Sequence, residues 1–164
     1  MTALKPIKGR LLVAEPSILN DQSFNRSVVL LTEHNKSGTV GFIMNKPLKF
    51  KVRDLVPEID CNFTVYNGGP VSQESLYFIH NIPNLIPESV QIAGGIYWGG
   101  DFDSVSELLV QKKITGEDIR FFLGYSGWEA NQLKEELIED SWTVMENSYP
   151  NILITNASLW KNKL

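Results

Sequence analysis

Three runs in the first third of the chain most constrain its fold: Gly9 to Ala14 (GRLLVA), Val28 to Thr32 (VVLLT) and Val40 to Met44 (VGFIM). They are apolar without alternation, so each strand they form needs cover on both faces. Between the second and third lies EHNKSGT, a polar connection in which Gly38 supplies the left-handed residue that closes a hairpin. Val28 to Met44 is therefore expected to be one antiparallel hairpin, ended by Pro47, which has no N–H for a ladder.

Further strands are expected at Phe63 to Tyr66 and Leu76 to Ile79, separated by a loop NGGPVSQES. A strand pair follows from Ser89 to about Trp98, broken at Gly94-Gly95. SVSELLVQKK has the pattern of a helix opened by Ser104 with Glu107 three residues on. Strand Ile119 to Leu123, a long helix from Gly127 to Glu139, strand Trp142 to Met145 and a last segment NILITNASLWKNKL complete the order. Strands come first and helices enter late. That order predicts an α+β fold with a mainly antiparallel or mixed sheet, which either curls on itself or is covered by its two main helices.

At 164 residues, 43% of them apolar and 21% charged, the chain is expected to be one globular domain spanning 1–164. No window is apolar enough for a membrane span, and MTALKPIKGR has no apolar stretch before a cleavage site, so a cytoplasmic protein is expected. The single cysteine, Cys61, agrees with a reducing compartment, and Glu58 and Asp60 beside it disfavour a thiolate. A net charge of -4 repels a phosphate backbone on average. No metal-ligand spacing is recognisable, and no cofactor motif is complete.

Gly124 to Asp140 (GYSGWEANQLKEELIED) sets a serine between two glycines after an apolar run, as a nucleophile elbow does. The elbow needs glycine two positions after the serine. Trp128 stands there instead, and neither His34 nor His80 follows Ser126. Ser126 and Glu129 also fit the S-x-x-E capping box, so Ser126 is expected to cap a helix. Gly94 to Gly100 (GGIYWGG) has the glycine spacing of a phosphate loop, but Gly100 and Asp101 replace its lysine and hydroxyl residue. Gly68-Gly69-Pro70 is either a bare turn or a pair of backbone amides offered to a small anion. Lys49, Lys51 and Arg53, with Lys46 nearby, are either a basic face or a solvated sheet edge. Ile82, Leu85 and Ile86 either cap the core or form a contact for a partner.

The chain resembles the YqgE/AlgH family of bacterial proteins. The resemblance rests on GRLLVAEPSILNDQSFNRSVVLLTEH, GTVGFIMNKP, YNGGPV and GYSGWEANQLKEELIEDSW, in that order. It implies a single-domain α+β fold whose strongly bent sheet forms a barrel-like core. It implies no reaction. Some members carry a transcription-regulator label, yet this chain has no helix-turn-helix and no basic recognition helix.

Arg26, His34 and Asn45 are polar residues at strand ends that fall on the shared motifs, as does Gln132 on the helix after GYSGW. If the bend brings them to Gly68 and Gly69, they are expected to hold a small anionic or carbonyl-bearing ligand; otherwise they tie strand ends together. The function expected first is a non-enzymatic binding or regulatory protein acting through such a ligand or a protein partner. A small enzyme with His34 as general base comes second, and direct DNA binding last.

Overall fold

A computed structural model describes residues 4–16, 24–147 and 151–154. Its strands are β1 (Leu11–Ala14), β2 (Val28–Asn35), β3 (Gly38–Ile43), β4 (Pro47–Lys51), β5 (Thr64–Asn67), β6 (Val71–His80), β7 (Val90–Ala93), β8 (Ile96–Trp98), β9 (Ile119–Glu129) and β10 (Trp142–Met145). The helices are α1 (Val52–Leu55), α2 (Phe102–Val110) and α3 (Gln132–Ile138), with a 3-10 helix at Asn151–Ile154. The remainder of NILITNASLWKNKL lies outside the described residues.

The ten strands form one sheet whose main path runs β10-β1-β2-β3-β9-β6-β8-β7, with β5 pairing to β9 and β4 to β5. The β5–β9 pairing is parallel and the others are antiparallel. The sheet bends until β7 contacts β2 without pairing to it, which gives a barrel-like core that does not close. Fold class and bent sheet are thus as the sequence and the resemblance imply.

The non-alternating runs explain the layering. Leu11, Val13, Val28, Leu30, Phe42 and Phe122 point into the bend, packed with Ile79, Ile92 and Ile96 from the facing strands. Their sequence neighbours Leu12, Ala14, Val29, Leu31 and Ile43 point outward, beneath Leu133 of α3 and the rings of Trp128 and Trp142. On the other half of the outer surface, Val65, Phe78 and Phe121 are covered by Val105 and Leu109 of α2 and by Ile86. Both alternatives for covering the sheet are therefore realised: it curls on itself and its outer faces carry the helices. Ile82 is half-buried and Ile86 fully buried in this outer layer, while Leu85 is 49% exposed.

Four local expectations need correction. Residues 127–129 are not helical. β9 continues through Glu129, and α3 starts at Gln132 after Asn131 in the left-handed region, φ 70°. Ser126 is consequently neither helix cap nor elbow: it is a fully buried strand residue whose Oγ donates to the Gly68 carbonyl at 3.0 Å. Pro47 opens a strand rather than closing the pattern, since the first residue of edge strand β4 needs no ladder donor. The loop expected from Asn67 to Ser75 is mostly β6, which begins at Val71. α2 begins two residues before Ser104, whose hydroxyl donates back to Asp101 Oδ2 at 2.7 Å.

Candidate functional site

The turn before β2 and the end of β3 are joined by one side chain. Asn45 is buried; its Nδ2 donates to the Arg26 carbonyl at 2.9 Å and its Oδ1 accepts the Val28 N–H at 3.0 Å. This clamp holds Arg26 at φ 57°, a left-handed conformation that strains a residue with a Cβ. Lys46, next along, donates its ammonium to the Asn25 carbonyl. Arg26, Asn45, Lys46, Pro47, Leu48 and Asn67 line one cleft of about 400 Å³, with no carboxylate among the described residues that line it. Burial, and then the charge of Arg26 beside it, push the Lys46 ammonium below the usual lysine range. In the same turn Asn25 Oδ1 and Ser27 Oγ are buried and have no hydrogen-bond partner among the described residues.

The six residues singled out in the sequence do not converge. Arg26 and Asn45 share this cleft. His34 lies at the far end of β2, where its Nδ1 and Thr39 Oγ1 are 2.7 Å apart. Six strand positions separate Val28 from His34, roughly 20 Å at about 3.3 Å per residue. Gln132 is exposed on α3; its Oε1 accepts the Glu129 N–H at 2.9 Å and its Nε2 donates to Glu136 Oε2 at 3.1 Å. Gly68 and Gly69 are buried, and their amides are already engaged, by the Leu123 carbonyl at 2.9 Å and by Asn67 Oδ1 at 3.1 Å. The basic run also separates: Lys49 is exposed on β4, Lys51 donates to Thr64 Oγ1, and Arg53 sits on α1.

Lys46 and Asn67 also line the cleft, and each stands beside a motif residue in the chain. Asn25 and Ser27 flank Arg26, Lys46 follows Asn45, and Asn67 precedes the glycine pair. The usable signal is that each motif residue in FNRS and MNKP has a second polar residue beside it at a strand end. Lys46 appeared only as a neighbour of the basic run.

Cys61 and His80 are buried titratable groups apart from the cleft. Burial first, with Asp60 a smaller contributor in the same direction, pushes the Cys61 thiol up and keeps it protonated. His80 is fully buried on β6; its Nε2–H donates to the Gly99 carbonyl at 3.1 Å, and its Nδ1 accepts the Ile82 N–H at 3.2 Å. Burial lowers its affinity for a proton, so the ring is neutral with the proton on Nε2. A histidine depressed in the folded state contributes stability above its unfolded value of about 6.5, and this is lost as pH falls toward the folded value. Denaturant melts from pH 7.5 to 5 are expected to show a slope approaching 1.4 kcal/mol per pH unit below about pH 6.5. In His80→Gln, where an amide can replace both bonds, that part of the slope should vanish. An identical slope in the variant would assign it to other groups.

Residues 11–164 match the family described as AlgH-like. The chain is 42% identical over 164 residues to the UPF0301 protein of Bacteroides thetaiotaomicron, covering 97% of this chain and 82% of that one. It is 41% identical over 150 residues to the UPF0301 protein of Chlorobium chlorochromatii, covering 91% and 79%. Its fold is similar to the solution structure of the AlgH protein from Pseudomonas aeruginosa, with a TM-score of 0.77, 26% identity and coverage of 99% and 89%. A crystal structure of protein DIP2367 from Corynebacterium diphtheriae shows the same fold at a TM-score of 0.79 and 23% identity, covering 99% of this chain and 88% of that one. With the family model spanning the sequence from the start of β1 to residue 164, the chain belongs to the AlgH-like family.

Proposed function

We propose that this chain is a non-enzymatic binding or regulatory protein that holds a small anion, a phosphate or carboxylate group, in the Arg26–Lys46 cleft. The observation that carries this is the pairing of two cations in one cleft at a strained turn, with Lys46 disfavoured as an ammonium by burial and by Arg26. A bound negative charge would favour the Lys46 ammonium against burial and the neighbouring guanidinium. His34, the general base that the sequence suggests, belongs to the other end of the β2–β3 hairpin, so it and the anion clamp do not share a cleft.

Thermal melts in inorganic phosphate, against chloride of equal ionic strength, test this. At a hundred times its Kd, phosphate is expected to stabilise the protein by about 2.7 kcal/mol. Arg26→Gly removes the guanidinium and suits φ 57°. It should abolish the shift in a protein that still folds, since glycine accepts this backbone conformation. Because the bound form needs the ammonium, affinity should fall as pH rises through the depressed Lys46 value, and Lys46→Met should remove that dependence. A phosphate shift of the same size in Arg26→Gly would sink the proposal, as would no shift in the parent protein with phosphate or with citrate.

A further inference from the structure

The other end of the bent sheet carries a different chemistry. Where the aliphatic filling of the bend stops, Phe42 of β3, Tyr77 of β6, Trp98 of β8 and Tyr125 of β9 take over, and a cleft of about 360 Å³ opens between them. Val90, 46% exposed at the start of edge strand β7, forms one lip. The cleft exists because β7 approaches β2 without pairing to it, so the barrel stays open on this side. Phe42 and Tyr77 lie with ring centroids 5.7 Å apart, and Tyr77 and Tyr125 meet edge to face, also at 5.7 Å. These rings thus form a fixed apolar wall rather than loose side chains.

The polar groups at the rim are Lys8, Thr32, Glu33 and His34. Two of them are turned to other partners: Thr32 Oγ1 donates to the Val40 carbonyl at 3.2 Å, and Glu33 Oε1 accepts from Asn35 Nδ2 at 3.1 Å. With His34 Nδ1 occupied by Thr39, the Nε2 of His34 and the ammonium of Lys8 are the donors at the rim for an acidic group, while the Glu33 carboxylate, drawn toward Asn35, sets a negative charge on one side of the mouth. Ligand pockets are mostly apolar and aromatic, carry few polar groups and begin at roughly 300 Å³. The mouth of a barrel is one of their usual positions.

We infer that this mouth is a second binding site, for a planar aromatic molecule of two or three rings bearing one acidic head group. The rings stack among Tyr77, Trp98 and Tyr125, and the head group meets Lys8 and His34. This site is independent of the Arg26–Lys46 cleft, and either can exist without the other.

The probe is 8-anilinonaphthalene-1-sulfonate, titrated against the folded protein and followed by its fluorescence. One saturable site is expected, at least tenfold weaker in Trp98→Leu and weakened several-fold in Lys8→Ala. Its affinity should be unchanged in Arg26→Gly. The neutral analogue N-phenyl-1-naphthylamine should bind at least several-fold more weakly. If Trp98→Leu does not fold, Val90→Trp alters an exposed position and fills the mouth, so it should block binding in a folded protein. Ile138, 73% exposed, lies in a neighbouring apolar groove with Ile7 and Leu137, and Ile138→Ser should leave the titration as it was. No saturable binding, or binding lost in Ile138→Ser and kept in Trp98→Leu or Val90→Trp, would overturn the site. Equal affinity for the neutral analogue would overturn the acidic head group and with it the ligand class.

Discussion

Arg120→Met is expected to destabilise the protein by about 3 kcal/mol, because it removes two charge-assisted hydrogen bonds and a cation–π contact at once. Arg120 is 6% exposed in the middle of the sheet. Its Nη1 donates to the Met44 carbonyl at 2.7 Å and its Nη2 to the Leu153 carbonyl at 3.1 Å, while its guanidinium carbon lies 4.1 Å from the centre of the Tyr66 ring. Burial pushes the guanidinium below its usual range and Tyr66 opposes that, so the substitution also removes a desolvation penalty. The hydrogen bonds outweigh this, since methionine gives neither carbonyl a donor. The melting temperature should drop by roughly 10 °C.

A local signature distinguishes this mechanism from general damage. Ile152 and Leu153 insert into the interior cluster, and Arg120 is the side chain that ties the Leu153 carbonyl to the sheet. Amide exchange in residues 151–154 should therefore accelerate in Arg120→Met more than in β2 or β3. A melt within about 2 °C of the parent, with unchanged exchange at 151–154, would show that Arg120 does not anchor this segment.

The second large effect is expected at Gly68. A Cβ there would stand 2.2 Å from the Gly124 carbonyl oxygen and 2.9 Å from the Phe42 ring. The chain can cross β9 this closely because Gly124 adopts φ 76° and Gly68 has no side chain. The Gly68 carbonyl also accepts both the Ile43 N–H and the Ser126 hydroxyl, so moving this backbone breaks contacts to β3 and β9 together. Gly68→Ala should cost about 4 kcal/mol or more, seen as insoluble expression or a melt lowered by over 10 °C. If the glycine pair instead served as an anion nest, the variant would keep its melt and lose only the phosphate shift.

Ser126 shows where sequence pattern and structure part. GYSGWE satisfies the capping box, but it also alternates: Tyr125 packs against the interior cluster, while Ser126 and Trp128 are buried on the other face. A capping box is a local match of side chains to helix amides. It loses here because β9 gains ladder bonds to β3 through Glu129 and buries Trp128 beneath α3. The cap signal was real in residue type and wrong in place, since the helix it announced starts a few residues later.

The clefts were partly legible. Arg26 and Asn45 stand on motifs that single them out, yet nothing in their spacing says that the Asn45 side chain reaches back across 19 positions to hold Arg26 in a left-handed turn. His34 was visible as a polar strand-end residue, but hairpin pairing puts it opposite Thr39 and far from Asn45. The aromatic mouth was not visible at all. Phe42, Tyr77, Trp98 and Tyr125 come from four strands, and each one alone looks like ordinary core.

By itself the sequence determined which stretches must be strands and that both faces of those strands need cover. That information is local: apolar runs without a polar face have no other stable environment. The tertiary structure alone decided where the sheet bends, that it stays open between β7 and β2, and which polar ends meet. Those outcomes depend on a backbone crossing at Gly68 and Gly124 and on contacts between residues far apart in the chain, which no periodicity records.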